Sequence, residues 1–389
     1  MLGRLLRVAP DFNLEVLEAG TDNSLKVTKK FPYFRLGTRL LGAIWHRLPE
    51  NFRPRTAVPA LATSWLADWL LQKWVGPCSI FHGPTGICHR SMRAAKQLGA
   101  ITLVEHASRH PRHWRQVIEE ESHHFRVNHH LIEHGFTDRR IRRMERMFEE
   151  CDRIVVPSAI ARESFVEMGY AHKIAVVHTG VDHQTFFPGQ PRDVSVFRVC
   201  YVGRVELAKG LGYLLQAWKR LRLSGAELVL VGEIKPEMRE LLATYADSTV
   251  RLTGELPQSK VVECYRASSV FVLPSANEGL AQVLLEAMAS GLCVVATDLS
   301  SATECMISGK EGTIVPARDV DALADAISWC YRQRDEGQVM GKAARARIEN
   351  QFTLDHYNQR IIALYSALKG APGAGESFKP TAGPVFHPK

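Results

Sequence analysis

The chain has 389 residues, of which 46% are hydrophobic and 23% are charged, with a formal net charge of +8. This composition excludes a collagen-like, coiled-coil or wholly disordered protein, and the length suffices for two or three domains of roughly 100–200 residues. No stretch approaches the roughly 18 consecutive apolar residues of a membrane span, and Arg4 and Arg7 interrupt the apolar start. We therefore expect a cytoplasmic protein, either free or peripheral on the inner face of a membrane.

The first hundred residues carry the whole excess of positive charge. They contain 14 Lys and Arg against 6 Asp and Glu, whereas the two signs balance in the remainder of the chain. Basic residues combined with interfacial tryptophans favour contact with an anionic membrane surface. A solvated basic face over a tryptophan-containing core is the alternative. The tryptophans of this segment are Trp45, Trp65, Trp69 and Trp74.

The first half of the chain predicts alternating strands and helices. Short apolar runs end at turn residues, and segments with three- and four-residue apolar spacing lie between them. The chain begins with a short helical pattern over residues 2–8. The predicted strands are residues 13–17, 79–82, 101–105, 153–157 and 173–178, and the predicted helices are residues 61–73, 91–98, 138–150 and 159–168.

Histidine and cysteine raise the question of a metal site. Half of the sixteen histidines lie between His106 and His134, several of them three or four residues apart, which is compatible with zinc. Imidazoles on a solvated helix explain the same spacing. The eight cysteines contain no C-x-x-C pair, which argues against a disulfide framework and a thiolate zinc site. We expect no bound metal.

The second half of the chain predicts a parallel α/β sheet. Its strands are continuous apolar runs, which is typical of strands covered by helices on both faces. Asp319 precedes an apolar helical pattern, where it is expected to act as an N-cap. The predicted strands are residues 197–203, 227–232, 269–274 and 292–297, and the predicted helices are residues 212–223, 236–245, 259–267, 282–290, 321–332 and 354–368.

Two Rossmann-like domains follow from this pattern. We expect an N-terminal domain over residues 1–188 and a C-terminal domain over residues 189–350, joined by a linker rich in proline and glycine. A terminal helix over residues 351–369 is expected to cross back to the N-terminal domain. The tail, residues 370–389, has few apolar residues and is expected to be disordered.

Two cations follow the first strand of the second half. The strand runs into a turn at Gly203 that delivers Arg204 and Lys209 to the carboxyl end of the sheet, where open α/β sheets bind their ligands. A guanidinium fork and an ammonium group suit a pyrophosphate. A surface arginine and lysine at a helix start is the other interpretation of this segment.

Two carboxylates flank a second strand–loop–helix junction. Glu278 lies just before the helix that opens near Leu280, and Glu286 lies about two turns inside it. At 1.5 Å per residue their backbones are roughly 12 Å apart, similar to the span from a sugar across a diphosphate to a ribose. The free amides at the helix start suit an anion.

These segments resemble glycosyltransferase family 4. Residues 277–297, Asn-Glu-Gly-Leu-Ala-Gln-Val-Leu-Leu-Glu-Ala-Met-Ala-Ser-Gly-Leu-Cys-Val-Val-Ala-Thr, are similar to the family's E-x7-E signature, and residues 203–210 resemble its G-R-x-x-x-x-K-G segment. The resemblance implies a GT-B fold, with two Rossmann-like domains facing each other across a cleft, and a retaining, metal-independent transferase. Further similarity lies in residues 151–158, 177–188, 309–312 and 352–365. Family members open with a strand before the first helix, so the resemblance also implies that a strand before residues 2–8 is missing or lies upstream.

The resemblance also implies roles for individual residues. Arg204 and Lys209 would contact the donor diphosphate, Glu278 the transferred sugar and Glu286 the ribose.

His110 resembles a cleft histidine near the donor sugar and acceptor, with His106 as the competing candidate. The Asp319-Val-Asp321 triplet has the D-x-D form of metal-dependent glycosyltransferases but is interpreted as a helix cap. Backbone amides of Gly279, Leu280 and Ala281 would complete the donor site.

The function expected is transfer of a hexose from a nucleotide-diphosphate sugar, as co-substrate without other cofactors, to a glycan or lipid-linked acceptor. Such a reaction belongs to cell-surface polysaccharide or glycolipid synthesis and involves no nucleic acid. The alternative is an inactive relative that binds a sugar nucleotide or a partner protein. An epimerase or phosphorylase on the same fold also remains open. A dinucleotide-dependent dehydrogenase is disfavoured because no G-x-G-x-x-G turn follows a strand.

Overall fold

The computed structural model describes residues 66, 68–127, 137–189 and 196–370, together with the backbone of one short parallel strand pair, β1 (Leu17–Glu18) and β2 (Lys29–Lys30). The predicted helix over residues 2–8, most of the predicted strand 13–17, the start of the predicted helix 61–73 and residues 371–389 of the tail lie outside this range. Trp45 and Trp65 lie outside it as well.

The N-terminal lobe is built on parallel strands in the order β3-β4-β5-β6. Helices cover both faces of this sheet, as the apolar strand patterns predict. The strands are β3 (Ile80–Pro84), β4 (Ile101–Glu105), β5 (Arg153–Val156) and β6 (Ile174–Val176), and the helices are α1 (His89–Gln97), α2 (Pro111–His124), α3 (Asp138–Glu150) and α4 (Ala159–Val166).

The C-terminal lobe contains, within the described residues, six parallel strands in the order β12-β11-β10-β7-β8-β9. The strands are β7 (Phe197–Val202), β8 (Ala226–Val231), β9 (Val250–Gly254), β10 (Val270–Leu273), β11 (Cys293–Thr297) and β12 (Gly312–Val315). The helices are α5 (Leu211–Leu221), α6 (Arg239–Tyr245), α7 (Gln258–Ala267), α8 (Gln282–Ala289), α9 (Ala302–Cys305), α10 (Val320–Arg332) and α11 (Arg334–Gln351). The predicted α/β class with parallel sheets is confirmed.

The order of the strands marks where a ligand is expected. From β7 the chain proceeds to β8 and β9 on one side, whereas from β10 it proceeds to β11 and β12 on the other. The direction of the connections therefore reverses between β7 and β10, which are adjacent and parallel. In open α/β sheets, the crevice at such a reversal is the usual ligand site.

The last helix, α12 (Leu354–Gly370), packs on the N-terminal sheet. Tyr357, Ile361 and Leu368 contact Leu103 of β4 and Val155 of β5 in one buried cluster. The side chains on the other face of these strands pack with α1, α3 and α4. The chain thus returns to its N-terminal lobe after completing the C-terminal one. In the described ranges, no helix combines the length and apolar character needed to cross a bilayer.

Candidate functional site

The turn after β7 is held rigidly in place. The Tyr201 hydroxyl donates to the carbonyl of Arg204 over 2.8 Å, and Val205 pairs with Ile234 beyond the end of β8. Tyr201 is fully buried, so the hydrogen bond is made in a dry environment where its loss would be costly. The turn therefore presents the Arg204 side chain, which is 54% exposed, at the carboxyl end of the sheet.

A glycine joins the two predicted motifs. Gly210 has a φ of 66°, and a Cβ placed on it would lie 1.9 Å from the carbonyl oxygen of Pro274, at the end of β10. The backbone amide of Ala276 donates to the carbonyl of Ala208 over 3.2 Å. The loop that carries Lys209 and the loop that carries Glu278 are consequently packed backbone against backbone.

Lys209 and Glu278 form an ion pair at this junction. The Lys209 ammonium lies 2.6 Å from Glu278 Oε1, and the Ser275 hydroxyl donates to the same oxygen over 2.9 Å. Both charged side chains are less than one-fifth exposed. The structure thus brings together residues that are 69 positions apart in the sequence, and it does so at the reversal point between β7 and β10.

Arg204 faces a second carboxylate, which the sequence analysis did not select. Its guanidinium lies 3.1 Å from Glu206 Oε1, and Glu206 is only 5% exposed. Burial raises the pKa of Glu206 above its usual value. The sequence did contain a sign that Glu206 is part of the site, because an acidic residue lies there between two cations that are expected to bind phosphate.

Glu286 lies in the second turn of α8, the helix that follows the loop over residues 274–281. The Tyr265 hydroxyl donates to Glu286 Oε2 over 3.2 Å. Burial raises the pKa of Glu286 to about 7. Helix α8 begins at Gln282 and has no side-chain cap at Ala281, so its first amides are available to an anion.

The loop over residues 274–281 also contacts the N-terminal lobe. The carbonyl of Gly279 accepts hydrogen bonds from the Ser158 and Ser301 hydroxyls, each over 2.5 Å. A Cβ on Gly279 would lie 2.2 Å from the carbonyl oxygen of Ala107, in the loop after β4. Gly279, Leu280 and Ala281 are buried, and they lie where the two lobes meet.

His110 requires a correction. The expected role beside the donor sugar requires an imidazole that faces the crevice, but the ring is fully buried against Phe148, Phe165 and Tyr170. It caps α2 by accepting from the amide of Arg112, and burial lowers its pKa to about 4. The competing His106 is buried in the same aromatic cluster. Aromatic neighbours brought in from α3 and α4 could not be placed from the sequence.

The D-x-D triplet is a helix cap, as predicted. Asp319 accepts from the amide of Ala322 over 2.8 Å at the start of α10, and Asp321 pairs with Arg220. Among the residues that the structure describes, no group of three or more His, Cys, Asp or Glu side chains is placed to hold a metal ion. His129, His130 and His134 lie outside that range.

Comparisons with known proteins relate this chain to glycosyltransferases. The family described as Glycosyltransferase Family 4 matches residues 29–185, and the family described as Glycosyl transferases group 1 matches residues 196–333. The D-inositol 3-phosphate glycosyltransferase of Corynebacterium urealyticum is 30% identical over 256 residues, which are 59% of this chain and 60% of that protein. The putative colanic acid biosynthesis glycosyltransferase WcaL of Escherichia coli is 30% identical over 209 residues, 50% of this chain and 52% of that protein.

The chain thus spans less than two thirds of the length of these curated relatives. Among solved structures, Anabaena HepE in complex with UDP and glucose superimposes with a TM-score of 0.62 at 16% identity, covering 78% of this chain and 81% of that one. This similarity concerns the fold, which is GT-B, and the two family matches together extend over both lobes. The chain belongs to the family 4 glycosyltransferases.

Proposed function

We propose that this protein is a retaining glycosyltransferase that moves a hexose from a nucleotide-diphosphate sugar to a glycan or lipid-linked acceptor. The observation that carries the proposal is the meeting of Lys209 and Glu278 at 2.6 Å, beside Arg204, at the point where the strand order reverses. Relatives whose names refer to D-inositol 3-phosphate and to colanic acid biosynthesis support a role in cell-surface polysaccharide or glycolipid synthesis.

The two cations supply most of the transition-state stabilisation in the proposed reaction. When the sugar departs, negative charge develops on the β-phosphate of the nucleotide, and fixed positive charges beside it stabilise the transition state more than the ground state. The guanidinium of Arg204 offers a bidentate fork, and Lys209 offers a point charge. The reaction therefore needs no cofactor beyond the nucleotide sugar in this proposal.

The carboxylates position the rest of the donor. Glu278 holds hydroxyl groups of the sugar and faces the positive charge that develops on it, and Glu286 accepts from the ribose hydroxyls. The leaving phosphate takes the acceptor proton on the same face of the sugar, so no protein nucleophile is required. Backbone amides of Gly279, Leu280 and Ala281 donate to the donor in this arrangement.

Turnover of the nucleotide sugar tests this proposal. Release of nucleoside diphosphate is measured with a glycan or lipid-linked acceptor for the parent protein, Lys209→Ala and Glu278→Ala. We expect each substitution to lower kcat by roughly 10²–10³-fold, since each removes a charge aimed at the transition state. Lys260→Ala is the matched control, because Lys260 forms an exposed pair with Glu263 in the same lobe and its loss should leave kcat unchanged.

Binding without turnover is the second candidate function. It is favoured by the burial of His110, which leaves the crevice without the histidine expected there. A parent protein that binds a nucleotide sugar but releases no nucleoside diphosphate with any acceptor would support this candidate and refute the enzyme.

Measurements of thermal stability identify the nucleotide of the sugar that the protein binds. A ligand that binds only the folded state raises the melting temperature, so UDP-, GDP- and ADP-sugars are compared at equal concentration. We propose a UDP-sugar first, because the similar HepE structure contains UDP and glucose. A shift with a GDP-sugar alone would overturn that choice.

We also propose contact with an anionic membrane through the segment that precedes β3. Trp69 and Trp74 are 37% and 53% exposed, and Lys73 lies 4.4 Å from the Trp69 ring centre. Interfacial aromatics beside cations suit the headgroup region of a bilayer. Cosedimentation with vesicles that contain phosphatidylglycerol should be strong at low salt and weak at high salt. No pelleting at low salt would contradict the proposal.

A further inference from the structure

Glu206 is a buried carboxylate inside the proposed diphosphate site. It lies between Arg204 and Lys209 in the sequence and precedes the 3-10 turn Leu207–Lys209 that carries the lysine. Only 5% of the residue is exposed. A carboxylate at this depth keeps its charge only if neighbouring cations or hydrogen-bond donors compensate for the lost water.

The two carboxylates of the site differ in this respect. Glu278 Oε1 accepts one hydrogen bond from Lys209 and another from Ser275. Glu206 Oε1 lies at ion-pair distance from Arg204 but is engaged in no hydrogen bond with any residue in the described part of the chain. Its burial and the missing hydrogen bond at Oε1 both favour the protonated form of Glu206.

The charges that face Glu206 come from several elements. Arg204 and Lys209 lie in its own turn, Glu278 lies in the loop after β10, and Lys235 lies after β8. Lys235 pairs with Glu233 over 2.9 Å. Burial raises the pKa of Glu206, and Glu278 raises it further, against the effect of the three cations.

A diphosphate would change this balance. In the structure, the formal charges of Arg204, Lys209, Glu206 and Glu278 cancel. A donor diphosphate brings at least two negative charges to the same place and becomes the new partner of the two cations. Glu206 then loses Arg204 as its ion-pair partner and faces additional negative charge at a position that is only 5% exposed, where like charges repel strongly.

We propose that Glu206 is a positioning residue that holds the Arg204 guanidinium before the donor arrives and takes up one proton when the diphosphate replaces it as the partner of that guanidinium. The step rests on the proposed donor site. One O–H bond forms on the Glu206 carboxylate with a proton from solvent, and the same bond breaks when the nucleoside diphosphate leaves. No other bond changes, and the protonated carboxyl group can donate to a phosphate oxygen.

Calorimetric titration with a nucleoside diphosphate measures the proton directly. Binding of UDP, GDP and ADP is recorded at one pH in two buffers that differ in ionisation enthalpy, and the difference gives the number of protons taken up. The parent should take up more protons than Glu206→Gln, by as much as one per site. Titration of the ligand and of Glu286 contributes equally to both proteins, so the difference isolates Glu206.

The affinity should show the same linkage. This effect is expected between the pKa of Glu206 in the free protein and its higher pKa in the complex. In that range, each increase of one pH unit should raise Kd of the parent by as much as tenfold relative to Kd of Glu206→Gln. At alkaline pH the glutamine variant should bind more tightly than the parent, since glutamine resembles the protonated acid. Loss of a residue that only supports the fold would weaken binding and would not make the glutamine variant the tighter binder.

Glu233→Gln is the matched control. It removes one negative charge beside Lys235, but Glu233 is 48% exposed, and proton uptake should equal that of the parent. Infrared difference spectra supply a second readout, because a band of a protonated carboxyl group should appear on addition of the nucleoside diphosphate to the parent and be absent in Glu206→Gln.

The outcomes separate this inference from the function on which it rests. A parent that binds nucleoside diphosphate with equal proton uptake in Glu206→Gln, and without the infrared band, would overturn the role of Glu206 and leave the donor site intact. A parent that binds no nucleoside diphosphate at all would refute the donor site, and the role of Glu206 with it.

Discussion

The two lobes differ in how the chain supplies their cores. The C-terminal lobe is one continuous cluster drawn mainly from residues 197–352, to which α2 adds Trp114 and Ile118. The N-terminal sheet has a separate cluster on each face, and one of them depends on α12 at the far end of the described chain. The residues of the proposed donor site therefore all belong to one lobe, whereas the lobe that faces it is completed only by a distant segment.

The largest expected effect concerns Gly210, where the two loops of the donor site touch. Gly210→Ala should lower the free energy of unfolding by roughly 3–5 kcal/mol and abolish nucleotide binding, because the added Cβ meets the carbonyl oxygen of Pro274 and φ is positive. Chemical denaturation and calorimetry measure the two effects. Gly99→Ala is the control, since Gly99 also has a positive φ but nothing lies within 4 Å of its Cβ position. Equal losses for both variants would contradict the close contact of the loops.

The dependence of the N-terminal lobe on α12 is tested by a pair of substitutions. Ile361 in α12 and Ile348 in α11 are both buried, in different clusters. Each change to alanine should cost about 2–5 kcal/mol. Hydrogen exchange should show loss of protection in β4 and β5 for Ile361→Ala, and in the C-terminal lobe for Ile348→Ala. Loss of protection in the same strands for both variants would show that the two lobes unfold as one unit.

Acid should weaken the N-terminal lobe selectively. Burial lowers the pKa of His106 and His110 to about 4, whereas an unfolded histidine titrates near 6.5. The unfolded state therefore binds more protons, and the stability present above pH 6.5 is lost as the pH falls towards 4. The loss is at most about 1.4 kcal/mol per pH unit for each histidine.

Replacing one of these histidines should reduce the pH dependence. His110→Phe in the aromatic cluster should flatten the plot of unfolding free energy against pH between 6.5 and 4, because the proton-binding difference disappears. His172→Phe, at an exposed position, should leave the slope of the parent. An unchanged slope in His110→Phe would show that its imidazole is not buried in neutral form.

The smallest effect concerns an ion pair between the lobes. Arg318 contacts Glu120 and Glu121 of α2 over 2.7 and 2.6 Å, and Glu121 is 1% exposed. Arg318→Ala should cost about 1–2 kcal/mol, since a buried carboxylate loses its partner. Small-angle scattering should show a larger radius of gyration as the lobes separate. Arg220→Ala is the control, because its pair with Asp321 is exposed and contributes about 0.5 kcal/mol or less. An unchanged radius would indicate that other contacts hold the lobes together.

The sequence predicted the central strands well and the edge strands poorly. Strands β7, β8, β10 and β11 are continuous apolar runs because helices cover both faces, and their predicted bounds differ by one residue from the observed ones. Strand β9, at the edge of the sheet, is mostly exposed or half-buried and lacks such a run. Strand β12, at the other edge, was missed for the same reason, because its two middle residues are only half-buried and it lacks a continuous apolar run.

Helix α2 shows a different limit of sequence reasoning. Its histidines suggested a solvated helix or a zinc site, but its apolar residues Trp114 and Ile118 pack into the core of the C-terminal lobe. Arg112 and Arg115 of the same helix pair with Glu145 and Asp138 of the N-terminal lobe. A helix that contacts both lobes cannot be recognised from the periodicity of one segment.

The amino-acid sequence by itself determined the α/β class, the helix cap at Asp319 and the types of residue in the proposed donor site, because these follow from local periodicity and from chemistry carried by short segments. Only the tertiary structure decided which charges are partners, that Glu206 is buried beside Arg204 and that His110 points into an aromatic core. The physical reason is that burial and pairing depend on residues contributed by other strands and helices, and a local segment of sequence does not specify which of them will be its neighbours.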